Sequence, residues 1–467
     1  MQYLHQNISR KAIAVCAAIA LLAASCKKFS DIPSSPDTIS PAQVFADSAD
    51  ATAAITGIYI GMIGQSSSSL SIGNEASGTF AGMVADEYDA VSYITAYKEF
   101  AANSITVTNV YNQNYLWTPA YKFIYQANAV IEGVNASTGI NDALKNRLIG
   151  EAKFLRAWFH FTMMNLYGGV PLCLVTDYRV TALLPRADTA AINQQVVADL
   201  EDAYQRLQTD PLPLTKYRVN KYAVKAFLAR VYLYRKQWAQ AEAAATEVIG
   251  GNYGLVTNLD STFLINSREA IWQVPSTIKG DETAQGNAYV PLSALSAPTF
   301  FVTTWMNNAF ETGDKRKSQW LKSNTVGGVT YTYPYKFKLV RNSAVTVANP
   351  HEAHTPLRLA ELYLVRAEAR AHEGNYTDAE KDVNSIRSRA GLGNVSISSL
   401  ETAATVIMQE RRVELFGEWG HRYFDLKRTG TIDAVLGAEK TGWKSSYALF
   451  PIPYNELQGN PNLTPNP

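Results

Sequence analysis

Two stretches of this chain carry the same spacing of apolar residues, and that spacing is hard to satisfy with anything but helical hairpins. Trp238, Ala241, Ala245 and Val248 stand at offsets 0, 3, 7 and 10, and Tyr376, Ala379, Val383 and Ile386 repeat the pattern 138 residues later. At 3.6 residues per turn these offsets fall on one helical face, so each run predicts an amphipathic helix buried along a single stripe. A run of small and apolar residues precedes each stripe: Ala223, Ala226, Ala229 and Val231 in one case, Leu359, Tyr363, Ala367 and Ala371 in the other. Three residues join each pair, Arg235-Lys236-Gln237 and Glu373-Gly374-Asn375. Gly374 supplies the left-handed backbone that ends a helix without a Cβ clash.

Alanines where two helices cross let their axes approach closely, and an aromatic opening the second helix fills the gap to the next hairpin. Tetratricopeptide repeats are built this way. Because the two pairs lie so far apart, a plain tandem array is ruled out. Further helices are predicted over 118–133 and 141–166, which would form another pair, and Ile192, Val196, Leu200, Ala203 and Leu207 mark one more amphipathic helix. A helical pattern also covers 41–64. The fold is therefore expected to be mainly α, a tetratricopeptide-like helical-pair scaffold. Two loop-rich inserts, near 65–117 and 250–345, lack sustained helical period, and the second is rich in Gly, Thr, Tyr, Asn and Pro. Long irregular inserts in a helical scaffold commonly carry function, so the ligand site is expected there.

The N-terminus points to export. Arg10 and Lys11 precede an apolar run over 12–24, followed by Ser25 and Cys26. A short basic region, an apolar core and small residues before a cut describe a secretory signal, and the run is too short to span a bilayer. Leu22-Ala23-Ala24-Ser25-Cys26 resembles a bacterial lipobox, so 1–25 is expected to be a lipoprotein signal peptide and Cys26 the lipidated residue. Residues 26–40, polar with Pro and Ser, read as a flexible tether, and 41–467 as a single body. With Cys16 removed and Cys26 acylated, only Cys173 remains of the three cysteines, so no intramolecular disulfide is expected. Cys173 sits in an apolar stretch and reads as a small buried hydrophobe. Without Arg10 and Lys11 the 42 basic residues fall to 40 against 41 acidic ones. A nucleic-acid binder needs a basic surplus, and that class is excluded.

Four segments, taken in order, resemble the SusD/RagB family of surface lipoproteins of Bacteroidetes-type bacteria. The first is Gly150-Glu151-Ala152-Lys153-Phe154-Leu155-Arg156-Ala157, running on to Tyr167-Gly168-Gly169-Val170-Pro171-Leu172. Next come Asn384-Ser385-Ile386-Arg387-Ser388-Arg389-Ala390-Gly391-Leu392 and Glu410-Arg411-Arg412-Val413-Glu414-Leu415 with Gly420-His421-Arg422-Tyr423-Phe424-Asp425-Leu426-Lys427-Arg428. The last is Pro451-Ile452-Pro453 with Asn460-Pro461-Asn462-Leu463. The resemblance implies a tetratricopeptide-like half supporting a less regular half that holds the ligand, usually a glycan and, in RagB-like members, a peptide. It also implies a partner, a SusC-like TonB-dependent outer-membrane transporter, and a lipid-anchored, surface-exposed place in the outer membrane.

Catalytic readings are weaker. Glu414, Glu418 and Arg422 are spaced four apart, but alternation of sign over 410–428 is the pattern of a structural ion-pair network. His351-Glu352-Ala353-His354 lacks the His-Glu-x-x-His spacing of zincins, and it reads as a chance pair before a helix at Pro356. Asp86, Glu87 and Asp89 form an acidic cluster with no EF-hand pattern, suited to bracing a loop. No Walker, Gly-x-Ser-x-Gly or dinucleotide motif occurs, and neither a cofactor nor a catalytic residue nor a metal is expected. What remains is aromatic residues on the inserts, whose rings can pack on the C–H faces of sugars while Asn takes the hydroxyls. Candidate ligand residues are Trp305, Asn307, Asn308 and Trp320 in the second insert and Tyr88, Tyr93 and Tyr97 in the first. Trp305 beside Asn307-Asn308 leads them; Trp117, Tyr331 and Tyr333 complete the pool.

Overall fold

The computed structural model describes residues 41–64, 70–91, 93–208, 215–277, 280, 282–340 and 351–466. The segments expected to be signal peptide and tether, with Cys26 between them, fall outside the described residues. Each expected pair forms where its spacing placed it. Helix α1 spans Ser48–Ile63, capped by Asp47. Thr118–Ala136 (α4) and Asp142–Tyr167 (α5) make the first hairpin, with Asn141 capping the second. Thr189–Gln208 (α6) buries all five residues of its predicted stripe. Lys221–Tyr234 (α7) and Trp238–Ile249 (α8) follow, then Leu359–His372 (α12), Tyr376–Ala390 (α13) and Leu400–Glu414 (α14).

Tertiary packing closes the long gap between the repeats. Helix α8 lies directly on α12, so α4–α8 and α12–α14 stack as one solenoid although 109 residues separate Ile249 from Leu359. Trp238, the aromatic that opens α8, lies flat on His372 at the end of α12, with ring centroids 3.8 Å apart and planes 1° from parallel. Gly374 adopts φ +80° in its turn, and Lys236 adopts φ +59° in the other, so the same corner is turned once without glycine.

The excursion between α8 and α12 leaves and returns through one ladder. Ala270–Pro275 (β2) pairs antiparallel with Ala353–Arg358 (β6), and β6 runs straight into α12. The helix expected to begin at Pro356 therefore begins at Leu359, because Pro356 is held within a fully buried strand. Between the two strands come Ala284–Tyr289 (α9), Phe300–Val302 (β3), Thr304–Asn308 (α10), Lys315–Trp320 (α11) and the hairpin Leu321–Val326 (β4) and Val329–Pro334 (β5).

The first insert is more helical than its sequence indicates. Ala76–Val84 (α2), Thr95–Ala101 (α3) and a π-helical turn over Asn112–Trp117 lie within it, with Tyr88–Ala90 (β1) between. All nine residues of α2 are buried. A helix covered on every side needs no polar face, so it leaves no periodic stripe to detect. After α14 come His421–Arg428 (α15) and Ile432–Glu439 (α16). Among the described residues no helix is long and apolar enough to cross a membrane.

Candidate functional site

A short ladder brings the two inserts together. Strand β1 of the first pairs antiparallel with β3 of the second, Tyr88 opposite Val302, Asp89 opposite Phe301 and Ala90 opposite Phe300. Alternation sends Tyr88, Ala90, Phe300 and Val302 inward and leaves Asp89 and Phe301 on the solvent side. Lys98 pairs with Asp89 at 2.5 Å, and the Phe301 ring meets Tyr331 of β5 edge-on at 5.3 Å. The β4–β5 turn takes Gly327 and Gly328 at φ +58° and +79°, a twist that suits a two-residue hairpin. Asn324 of β4 donates to the carbonyls of Ala294 and Ser296, fixing a neighbouring loop whose Leu295 is exposed.

Thr303 sets Trp305 in place. Its amide donates to the Glu87 carbonyl at 3.0 Å, its hydroxyl donates to the Asp86 carbonyl, and the same hydroxyl accepts from the Met306 amide to cap α10. With Met306 buried beneath, α10 presents Trp305 at 40% exposure; Asn307 is half-buried and Asn308 exposed. Tyr93, 78% exposed, lies beyond the other end of the ladder. Because the strands are antiparallel, Tyr93 follows the Ala90 end and Trp305 the Val302 end. A three-residue strand rises roughly 7–10 Å, so Tyr93 and Trp305 follow opposite ends of a short ladder whose solvent side carries Phe301, in edge contact with Tyr331.

The other candidates lie deeper. Tyr97 is half-buried in an aromatic cluster, 4.2 Å from Tyr111 and 4.9 Å from Phe300 between ring centroids. Tyr88 is buried, its hydroxyl so close to Gly417 that a Cβ there would lie 2.0 Å away. Trp320 is fully buried, donates its indole N–H to the Leu259 carbonyl at 3.2 Å and carries the Lys336 ammonium over its ring. Tyr88 and Trp320 therefore serve the core and offer a ligand no surface. Trp117 and Tyr333 are buried as well. Phe301 was not singled out from sequence, since a three-residue strand is too short to show alternation.

The charged segment after α13 is a buried ion-pair network. Arg358 donates to Glu269, Glu414 and Glu418; Arg316 to Asp314, Glu410 and Glu414; and Arg389 to Glu269 and Glu414. Burial alone would push the Glu414 carboxyl up, but Arg389, Arg358 and Arg316 outweigh it and hold it well below the usual range. Glu418 and Arg422 do not pair with each other: Gly417 and Gly420 break the helix between them, and Arg422 reaches Asp86 instead. Asp86, also held by Arg412, thus braces the first insert against the C-terminal helices, whereas Asp89 pairs with Lys98 inside the insert. Cys173 is half-buried, and burial raises its thiol to about 11.

Glu87 behaves differently. Burial, then the neighbouring Asp86, raises its carboxyl to about 8. The folded chain thus holds a proton between pH 4.5 and about 8 that the unfolded chain releases, so this group's stabilisation is complete at low pH and is lost as pH rises through that window. Glu87→Gln should flatten this part of the pH dependence in urea unfolding measured on either side of the window. A slope unchanged by the substitution would refute the assignment.

His351 pairs with Glu282 at 3.0 Å, whereas His354 is buried on Gln285 and the Ala284 amide. Among the described residues no group of three or more His, Cys, Asp or Glu is placed to hold an ion. A cavity of about 720 Å³ opens on the solenoid beside Trp238, Leu400, Ala404, Met408 and Val435. Its walls are mostly apolar; among its charged residues Glu368 and Asp425 pair with Arg428 and Arg422 pairs with Asp86, while Lys236 and Glu401 also line it.

Known proteins share this architecture. A family model described as "SusD family" matches residues 299–467, and one described as "Starch-binding associating with outer membrane" matches residues 34–233. A SusD-like protein of Formosa agariphila is 25% identical over 416 residues, spanning 74% of this chain and 77% of its own. Among solved structures, a SusD superfamily protein of Bacteroides vulgatus superposes with a TM-score of 0.78 at 21% identity, covering 90% of this chain and 99% of its own. A laminarin-binding SusD-like protein gives 0.73 at 24% identity with the same coverage.

Proposed function

The chain belongs to the SusD/RagB family, and from that premise we propose that it is a surface lipoprotein that captures an oligosaccharide and delivers it to a SusC-like TonB-dependent transporter. It acts by binding and catalyses no reaction. The observation that carries this reading is the strip of aromatic rings along the β1–β3 ladder, with Trp305 and Tyr93 exposed at its two ends. Exposed rings on capped, rigid elements suit the flat faces of sugars, which they bind at little entropic cost. Two exposed rings beyond opposite ends of a ladder that itself rises roughly 7–10 Å favour a ligand longer than a monosaccharide. Cys26 would carry the lipid, and the family description names association with the outer membrane.

The test is calorimetry of the soluble chain, begun after Cys26, against purified glycans with peptides alongside. Binding of at least one oligosaccharide, stronger for longer chains, is expected. Silence across the glycans with binding of peptides would overturn the glycan reading.

A further inference from the structure

Residues from four parts of the chain meet at one small cavity. Ser77 of α2, Trp158 of α5, Tyr234 of α7 and His421 at the start of α15 line it, with Phe161 and Phe424 among its apolar walls. Ser77 Oγ, Trp158 Nε1, the Tyr234 hydroxyl and His421 Nδ1 are each buried and have no hydrogen-bond partner among the described residues. Buried polar groups are rarely left unpaired, because each has given up its bonds to water. The cavity measures about 10 Å³, the lower limit, about 10–15 Å³, of the room one water needs.

We propose that this cavity is a specific binding site for one ordered water held by Ser77, Trp158, Tyr234 and His421. The hydrogen-bond capacities match. An indole N–H can only donate, so the water accepts from Trp158. Burial, then Arg230 and Arg411, holds the His421 imidazole well below its ordinary pKa, so the ring is neutral and Nδ1 can accept from the water. The two hydroxyls rotate freely, one donating to the water and the other accepting from it. Two bonds accepted and two donated fill the capacity of one molecule.

The site also has a structural role. Ser77 belongs to the first insert, Trp158 and Tyr234 to the solenoid, and His421 to the C-terminal segment. The water ties the insert that carries β1 to its scaffold and to the segment that braces it.

Two measurements decide the matter. A crystal structure at a resolution that orders buried waters should show one spherical density within hydrogen-bond distance of all four atoms. Ser77→Ala and Tyr234→Phe should each lower the melting temperature, and the double variant should lose less than the two losses added, because both act through one molecule. In a dry cavity each change deletes an unpaired hydroxyl, so an unchanged or raised melting temperature overturns the proposal. So does a wild-type crystal without density there, or an anomalous signal at the site after a bromide soak, which would mark an anion. The crystallographic arm uses the unaltered chain and stands even where a variant fails to fold.

Discussion

Arg358→Met is expected to lower the free energy of unfolding by about 3–5 kcal/mol, the cost typical of removing one partner from a buried ion pair. Arg358 is almost fully buried and reaches Glu269 at 2.8 Å, Glu414 at 2.6 Å and Glu418 at 2.6 Å. Its removal leaves the three buried carboxylates short of one cation, with Arg389 on Glu269, Arg389 and Arg316 on Glu414 and Lys336 on Glu418. The loss measures those stranded charges, not the net worth of the bridges, since whole buried networks can often be replaced by apolar side chains with little penalty. Arg179→Ala provides the contrast. Arg179 pairs with Asp177 at 2.6 Å, but both are solvated, and no measurable change is expected. Urea unfolding of the two variants beside the wild type checks the claim. A wild-type midpoint for Arg358→Met would mean that the network is not holding the C-terminal segment in place.

Trp305→Ala should weaken oligosaccharide binding about thirtyfold, the affinity equivalent of roughly 2 kcal/mol for truncating a tryptophan anchor, while barely moving the melting temperature. The ring is 40% exposed and α10 keeps its Thr303 cap and its buried Met306, so little of the fold depends on it. Trp320→Phe should do the reverse. That ring is enclosed and bonded to Leu259, so the change costs stability and leaves affinity alone. Calorimetry with the best glycan, alongside thermal unfolding, separates the two. Equal affinity for Trp305→Ala and wild type would move the site away from α10.

Much of the solenoid could be read directly from residue spacing. The hairpins of α7 with α8 and α12 with α13 follow from stripes that bury one face and solvate the other, and Gly374 marks a corner that Lys236 also turns. Helix α2 could not be read this way, since burial on all sides erases the stripe. The candidate site was legible only as a set of aromatic residues on two inserts. Sequence ranks Trp305, beside Asn307 and Asn308, ahead of Trp320; their surroundings decide the matter, one on a capped surface turn and the other enclosed by Phe263 and Phe416.

Sequence by itself determined the helices of the solenoid, the family and the neutral charge balance, because these depend on periodicity, on short motifs and on composition. Tertiary structure alone decided that α8 meets α12, that β1 pairs with β3 and that Arg422 reaches Asp86 instead of Glu418. Each of these joins residues more than 100 positions apart, and the choice among such partners is made by which arrangement buries the apolar surface while pairing every charge it encloses. No local window of residues contains that information.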